Sequence, residues 1–239
     1  MKKISVIIPT LNEERFLPLT LENLRRQTIK DFELIVKDGL SKDRTVEIAE
    51  QYGAKVFSKN DSSLGEARNQ GAKSAGGDIL VFLDADTLLA SDALGKLAED
   101  FLRYDAVMVF PKYSLREQEA LIEGKRGSIE KFLVKLWVTF EDSFRKYADV
   151  YAGGMCMACD AKAFKRIGGF NENLKVCEDV EISYRFRKIG PVIADHNIVA
   201  YPSARRYLKG GLVNSLLTYL TFRLQWQLGL AQPKPKLFR

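Results

Sequence analysis

Four apolar runs, in "ISVII", "FELIV", "AKVF" and "ILVFL", alternate with stretches of helical period between Ile4 and Leu83, and this alternation leaves few folds open to the chain. The run from Ile4 to Ile8 is β-branched and ends at Pro9, as a strand buried on both faces would. Between the first two runs, Phe16, Leu17, Leu21 and Leu24 fall on one helical face behind acids that suit a helix N-terminus. "SKDRTVEIAEQYG" predicts a helix capped by Ser41 or Asp43 and closed at Gly53, and "SLGEARNQGAKSAGG" predicts another that closes at Gly76 and Gly77. Strand, helix and strand in this order favour right-handed crossovers, hence an α/β fold with a mostly parallel sheet and helices on both faces.

Ligands of such sheets bind beyond the carboxyl ends of the strands. Pro9 and Thr10, Asp38, and the pair Asp84 and Asp86 stand at those ends. Side chains two apart in "DILVFLDAD" share a face while the strand stays extended, but where the chain turns both carboxylates can converge on one hard cation or sugar-phosphate. Oxygen donors of this kind suit Mg or Mn. A turn and a helix cap ahead of "TLLASDALGKLAEDF" is the plainer role for the same two residues.

Beyond the fourth run the pattern loosens. "DALGKLAEDFLRY" predicts a helix, "AVMVFPKYS" a strand, and "EQEALIEGKRGSIEKFLVKLWVTFEDSFRKYA" one or two basic amphipathic helices. "VYAGGMCMACDAKAFKRIGGF" predicts a strand and a short helix, "CEDVEISYRFRKIG" a helix opened by Glu178 and Asp179, and "PVIADHNIVAYP" a last strand. An apolar share of 46% and a charged share of 28% over 239 residues suit one α/β domain. "MKKISVIIPTLNEE" lacks a small-residue cleavage site, so no signal peptide is expected, and Cys156, Cys159 and Cys177 are expected as reduced thiols. The C-x-x-C spacing of Cys156 and Cys159, with Cys177 and the sole histidine, His196, raises a zinc site; simple packing of the thiols is the competing reading.

The net charge of +6 is carried by the C-terminus. From His196 onward there are seven Lys or Arg and no acid, so this part attracts an anionic partner. Residues 212–239 read as an amphipathic basic tail, with Leu212, Leu216, Leu220, Leu224 and Leu228 on one face and Asn214, Thr218, Thr221 and Gln225 opposite. Arg223 and the amides argue against a bilayer span. The tail would lie on an anionic membrane surface, or pack on its own domain or a second subunit in a homodimer.

The segments "SVIIPTLNEE", "VKDGLSKDRT", "GEARNQGA", "FLDADT", "AGG", "GGFNE", "EDVEISYRFRKIG" and "SARRYLKGG", in this order from Ile4 to about Gly211, resemble the inverting family 2 glycosyltransferases of the GT-A fold. The resemblance implies a domain over residues 1–211, with a nucleotide half to about 110 and an acceptor half from about 111. It implies a sugar transfer from a nucleoside-diphosphate sugar to an acceptor hydroxyl, of a lipid-linked or cell-envelope glycan, with Mg or Mn as cofactor and no nucleic-acid partner. The thiols and the basic, leucine-faced tail add the expectation of a cytoplasmic enzyme that touches the inner face of the cell membrane. Pro9, Thr10, Leu11 and Glu13 would line the nucleotide pocket, Asp38 would accept a hydrogen bond from the base, and Arg68 would lie near the nucleotide. Asp84 and Ala85 would contact the donor, and Asp84 and Asp86 would hold the cation. His196 would be a further ligand, a diphosphate contact or a hydrogen-bonded structural histidine. Arg205 and Arg206 would close on the diphosphate, or form a solvated or lipid-facing basic patch. Asp179 would be the general base, with Glu178 as its competitor. "KDGLS" departs from the family's usual acidic pair and Gly-Ser, through Lys37 and Leu40.

Two other classes remain in view. A nucleotidyltransferase shares the sheet and the acidic metal site but carries a glycine-rich basic loop after its first strand, where this chain has the acidic "PTLNEE". A non-catalytic nucleotide-sugar-binding module would lack the base. "GEARNQGAKS" misses the P-loop spacing, and no G-x-G-x-x-G follows the first strand.

Overall fold

The computed structural model describes residues 2–114 and 153–203, together with Thr221 and Leu228. Among these the chain runs β1 (Ile4–Thr10), α1 (Leu17–Arg25), β2 (Phe32–Asp38), α2 (Thr45–Gln51), β3 (Lys55–Ser58), α3 (Leu64–Lys73), β4 (Ile79–Leu83), β5 (Thr87–Leu89) and α4 (Ala93–Arg103). It continues through β6 (Met108–Tyr113), β7 (Cys156–Asp160), α5 (Ala161–Arg166), α6 (Glu178–Arg187) and β8 (Val192–Pro202). The strands form one sheet in the order β3-β2-β1-β4-β7-β6-β8-β5. The pairs β1–β2, β1–β4, β2–β3 and β6–β8 are parallel, while β7 runs antiparallel to β4 and β6, and β5 antiparallel to β8. The basic helices read across 117–148, Arg205, Arg206 and the tail lie outside the described residues, Thr221 and Leu228 excepted.

Alternation along the strands builds two cores, one on each face. Ile4, Val6, Ile8, Val81 and Leu83 pack with α1, α2 and α4 through Leu17, Leu21, Leu24, Ala49, Leu94 and Leu97. Ile7, Leu80 and Phe82 pack on the other face with Phe164, Phe170, Ile182 and Phe186. The helical stripe read in α1 is thus its buried face. α3 begins at Ser63, whose hydroxyl accepts from the Glu66 amide, and Glu66 in turn accepts from the Ser62 amide, a reciprocal cap displaced by one residue.

Three local expectations change. "TLL" forms β5 instead of opening a helix, because Thr87 and Leu89 pair with Pro202 and Ala200 at the edge of β8. Arg44, rather than Ser41 or Asp43, holds the cap position of α2, though Asp43 still accepts from the Thr45 amide at 3.0 Å. Cys156 and Cys159, three apart on β7, point to opposite faces of the sheet, Cys156 into the first core and Cys159 into the second. They cannot share one zinc ion, and burial pushes the Cys156 thiol up to about 12 with help from the Asp84 charge.

β8 bulges between Asp195 and Val199, which pair with the consecutive residues Pro111 and Lys112. Lys96 of α4 donates to the Asn197 carbonyl there at 3.1 Å. Burial and then the charge and hydrogen bond of Asp195 raise the Asp100 carboxyl to about 6, against the opposing pull of Arg103. An unfolded aspartate ionises near 3.8, so between these values the folded chain holds the proton and the unfolded chain does not. Stability from this group is complete below the unfolded value and is lost as pH rises through about 6. Urea unfolding across this window should show Asp100→Asn gaining stability relative to the parent as pH rises. A difference that stays constant with pH would contradict the pairing of the buried Asp100 carboxyl with Asp195.

Candidate active site

Arg68 is fully buried on α3 beneath the carboxyl ends of the strands. Its Nη1 donates to Glu178 Oε1 at 2.8 Å, and its Nη2 donates to Asp84 Oδ1 at 3.0 Å and to the Gly154 carbonyl at 2.6 Å. The guanidinium carbon lies 5.4 Å from the centre of the Phe170 ring. Burial opposes the charge, but Asp84, Glu178 and Asp179 outweigh it and the guanidinium is raised above its usual range. Burial, followed by the Asp179 charge, raises Glu178, with Arg68 pulling the other way. One arginine therefore joins a strand end, a helix start and the chain entering β7.

The "GEARNQGA" block, a near miss to a phosphate loop in sequence, has a packing explanation. A Cβ at Gly71 would come within 2.5 Å of Ile7 Cγ2, so glycine lets α3 sit down on β1. Asn69, next to Arg68, clasps the Phe170 backbone, donating to its carbonyl at 2.9 Å and accepting from its amide at 2.8 Å. This fixes "GGF" and with it the approach to α6.

Asp179 stands in the first turn of α6 with Glu178 and Glu181. Its Oδ2 accepts from the Gly154 amide at 2.7 Å and its Oδ1 from the Val180 amide at 2.8 Å. Gly154 thus donates to Asp179 through its N–H while its carbonyl accepts from Arg68. A Cβ at this position would lie 3.2 Å from Asp179 Oδ2 and 3.3 Å from Arg68 Nη2, which explains the second glycine of "AGG". Cys177, just before the helix, adopts φ +65. Non-glycine residues in this region cost on the order of 1–3 kcal/mol and cluster at functional sites.

The loops after β1 and β2 are laced together by Ser41, read above only as a helix cap, and by Asn12 and Thr45, which the sequence reading did not single out. The Asn12 amide donates to Ser41 Oγ at 2.8 Å, the Lys42 amide to Asn12 Oδ1 at 2.8 Å, and the Glu13 amide to Thr45 Oγ1 at 2.7 Å. Asn12 and Leu40 take φ values of 55 and 68. Asp38 is almost completely buried and serves this lacing: Thr10 Oγ1 donates to it at 3.2 Å, the Ser41 amide at 2.9 Å, and Ser41 Oγ adds a third bond. Lys37, equally buried, donates to the Asp38 carbonyl at 2.8 Å, the Lys59 carbonyl at 2.6 Å and Asp61 Oδ2 at 2.7 Å. Leu11, the residue after β1, stays half exposed beside Gly39, and Pro9 is the last but one residue of β1.

Asp84 and Asp86 frame the turn between β4 and β5. The Thr87 amide donates to the Asp84 carbonyl and the Ser203 amide to the Asp86 carbonyl, each at 3.1 Å. Buried Ala85 between them accepts from Thr20 Oγ1 at 2.8 Å. Asp84 Oδ1 is committed to Arg68, while its Oδ2 takes no hydrogen bond from the described residues. Among the described residues no group of three His, Cys, Asp or Glu side chains could hold a metal ion. The carboxylates of Asp84 and Asp86 are hard oxygen donors of the kind that Mg or Mn takes. His196 does not join this pair. It lies in the β8 bulge beside Asn197, on the far side of Val199 from Pro202, the residue that pairs with Thr87. Three strand residues alone separate Val199 from Pro202 by roughly 10 Å.

The fork geometry of Arg68 generates a direct test. An ammonium at this position keeps the charge but cannot span Glu178, Asp84 and the Gly154 carbonyl together. Arg68→Lys should lower stability to urea by about 1–3 kcal/mol, the cost of a buried acceptor left unsatisfied. Parent-like stability would contradict the bridging role.

Comparison with known proteins agrees with this architecture. The sequence model of Glycosyl transferase family 2 matches residues 5–168. An uncharacterized glycosyltransferase of Rickettsia typhi is 27% identical over 205 residues, covering 82% of this chain and 62% of its own length. A PGL/p-HBAD biosynthesis glycosyltransferase of Mycobacterium bovis is 41% identical over 101 residues, 39% of this chain and 40% of that one. The chain thus spans less than two thirds of the length of these curated relatives. Among solved structures, a mannosyltransferase from Pyrobaculum calidifontis in complex with GDP-Man and Mn2+ superposes with a TM-score of 0.68 at 18% identity, over 99% of this chain and 67% of that one. S. aureus TarS in complex with UDP superposes with a TM-score of 0.64 at 22% identity, over 84% of this chain and 61% of that one. With the match covering well over half of its residues, the chain belongs to glycosyl transferase family 2 and has the GT-A fold.

Proposed function

We propose that the chain transfers a sugar from a nucleoside-diphosphate sugar to an acceptor hydroxyl, with inversion at the anomeric carbon and Asp179 as general base. The observation that carries this reading is the shared anchor of the two reacting sides. Arg68 Nη2 bonds both Asp84 Oδ1 and the Gly154 carbonyl, and the Gly154 amide holds Asp179. A carboxylate placed for the donor and a carboxylate placed for the acceptor are thereby set around one guanidinium. Further support comes from structural relatives crystallised with UDP, UDP-GlcNAc, or GDP-Man and Mn2+.

In the proposed step the acceptor oxygen attacks the anomeric carbon on the face opposite the leaving diphosphate. The acceptor proton passes to the Asp179 carboxylate, and the bond from sugar to diphosphate breaks with its electron pair on the diphosphate oxygen. A single displacement without a covalent enzyme intermediate inverts the centre. Two backbone N–H donors orient Asp179, whereas Glu178 is committed to Arg68, which favours Asp179 over Glu178 as the base. Proton acceptance of this kind contributes about 10²- to 10⁴-fold. A divalent cation held by Asp84 and Asp86 would supply charge neutralisation on the departing diphosphate. Arg205 follows Ser203 by two residues, and the Ser203 amide is bonded to the Asp86 carbonyl, which favours a diphosphate role for the Arg205–Arg206 pair.

Production of nucleoside diphosphate from a panel of UDP- and GDP-sugars with Mn2+, with and without chelator, tests the reading. Asp179→Asn should keep calorimetric binding of the nucleotide while losing about 10²-fold or more of the turnover. Chelator should abolish the turnover of the parent. Turnover of Asp179→Asn at the parent rate would overturn the assignment of the base.

A further inference from the structure

The carboxylate that the sequence points to for base reading, Asp38, is already engaged. It is almost fully buried, and Thr10 Oγ1, Ser41 Oγ and the Ser41 amide all donate to it, so its chief work is to hold the loop after β2 against β1. A second carboxylate stands beside it. Asp61, between β3 and α3, has its Oδ2 2.7 Å from Lys37 Nζ, and this oxygen would lie 3.6 Å from a Cβ built on Gly39. Leu11 Cδ1 lies 3.5 Å from the same point. Asp61 is therefore a wall of the space framed by Leu11 and Gly39, where the loops after β1 and β2 meet.

The two oxygens of Asp61 differ. Oδ2 is held by Lys37, while Oδ1 is buried and has no hydrogen-bond partner. Buried acceptors are normally satisfied, so this open oxygen calls for a donor. Lys37 cannot offer its charge to an incoming group, because its three protons are directed to the Asp38 carbonyl, the Lys59 carbonyl and Asp61. Lys37 and Asp61 form an ion pair whose side chains are only 1% and 11% exposed. Leu11 and Leu40, about half exposed on the two framing loops, supply apolar surface for the faces of a flat ring.

We infer that Asp61 reads the nucleobase of the donor and selects guanine. This rests on the donor-site reading proposed above. A carboxylate presents acceptors only, and a fully committed lysine adds no donor beside it. Guanine alone among the common bases offers two adjacent donors, N1–H and the N2 amino group, on one edge. Uracil and thymine place N3–H between two carbonyl oxygens, which a carboxylate repels. Cytosine and adenine each pair one amino donor with a ring acceptor. Sites built for a given pattern of donors reject ligands that lack it, because their buried polar groups are left unpaired. Asp61 Oδ2, the oxygen on the side of Gly39, keeps a second lone pair beside its bond to Lys37 for a donor on the ring edge.

Calorimetric titration of the full chain with GDP, UDP, dTDP, CDP, ADP and xanthosine diphosphate in Mn2+ tests the inference. GDP should bind at least about tenfold more tightly than UDP or dTDP, the scale of one good donor–acceptor match. Xanthine replaces the N2 amino group with a carbonyl, so the parent should bind its diphosphate weakly. Asp61→Asn presents one acceptor and one donor and should exchange the order, losing affinity for GDP and gaining it for xanthosine diphosphate. That exchange is a gain of binding, which a misfolded variant cannot give. UDP or dTDP binding as tightly as GDP, or Asp61→Asn keeping the parent order, would overturn the inference and leave the donor site standing. Failure of every nucleotide to bind would overturn both.

Discussion

A single buried cation, Arg68, organises the carboxyl end of this sheet. Its partners come from three places far apart in sequence: Asp84 at the end of β4, Gly154 ahead of β7, and Glu178 at the start of α6. Removing a charge of this kind from water is expensive, and the arrangement is tolerable only because two carboxylates and a carbonyl surround it. The same enclosure makes the charges interdependent. Without Arg68, buried Glu178 would face the partly exposed Asp84 and Asp179 with no opposing charge, and the peptide that holds Asp179 would lose the partner of its carbonyl. The geometry proposed for catalysis and the integrity of the fold therefore rest on one side chain.

The packing on either side of the sheet explains why this cluster is rigid. α3 sits close to β1 because Gly71 leaves room for Ile7, and Asn69 locks the segment that leads to α6. Three of the four non-glycine residues with positive φ among the described residues, Asn12, Leu40 and Cys177, lie in the loops that frame the site. Such conformations persist where surrounding contacts over-determine them. In the first two the lacing of Asn12, Ser41, Asp43 and Thr45 supplies those contacts.

The alternation of strand and helix was legible because each buried strand reads as a continuous apolar run and each helix carries a stripe. Asp84, Asp86 and Asp179 were legible for a related reason: an acid that interrupts an apolar run or opens a helix stands out by position. β5 was not, since three residues of "TLL" carry no period and pair only because β8 arrives from more than a hundred residues away. The cysteines looked like ligands by spacing, but strand geometry sends them to opposite faces. His196 looked available as the sole histidine, yet the bulge that holds it can be seen only through the pairing of β6 with β8. Gly154 and Lys37 stood out only within the family blocks and Asp61 not at all, because their roles come from tertiary apposition.

A double-mutant cycle between Arg68 and Glu178, read by urea unfolding, tests the central interaction most directly. Arg68→Met and Glu178→Gln should each destabilise the chain, because each leaves a buried partner uncompensated. The double variant should cost less than the two together by about 1–3 kcal/mol, the range found for residues within one charged network. Additivity to within about 0.5 kcal/mol would contradict the claim that this buried pair holds the site together.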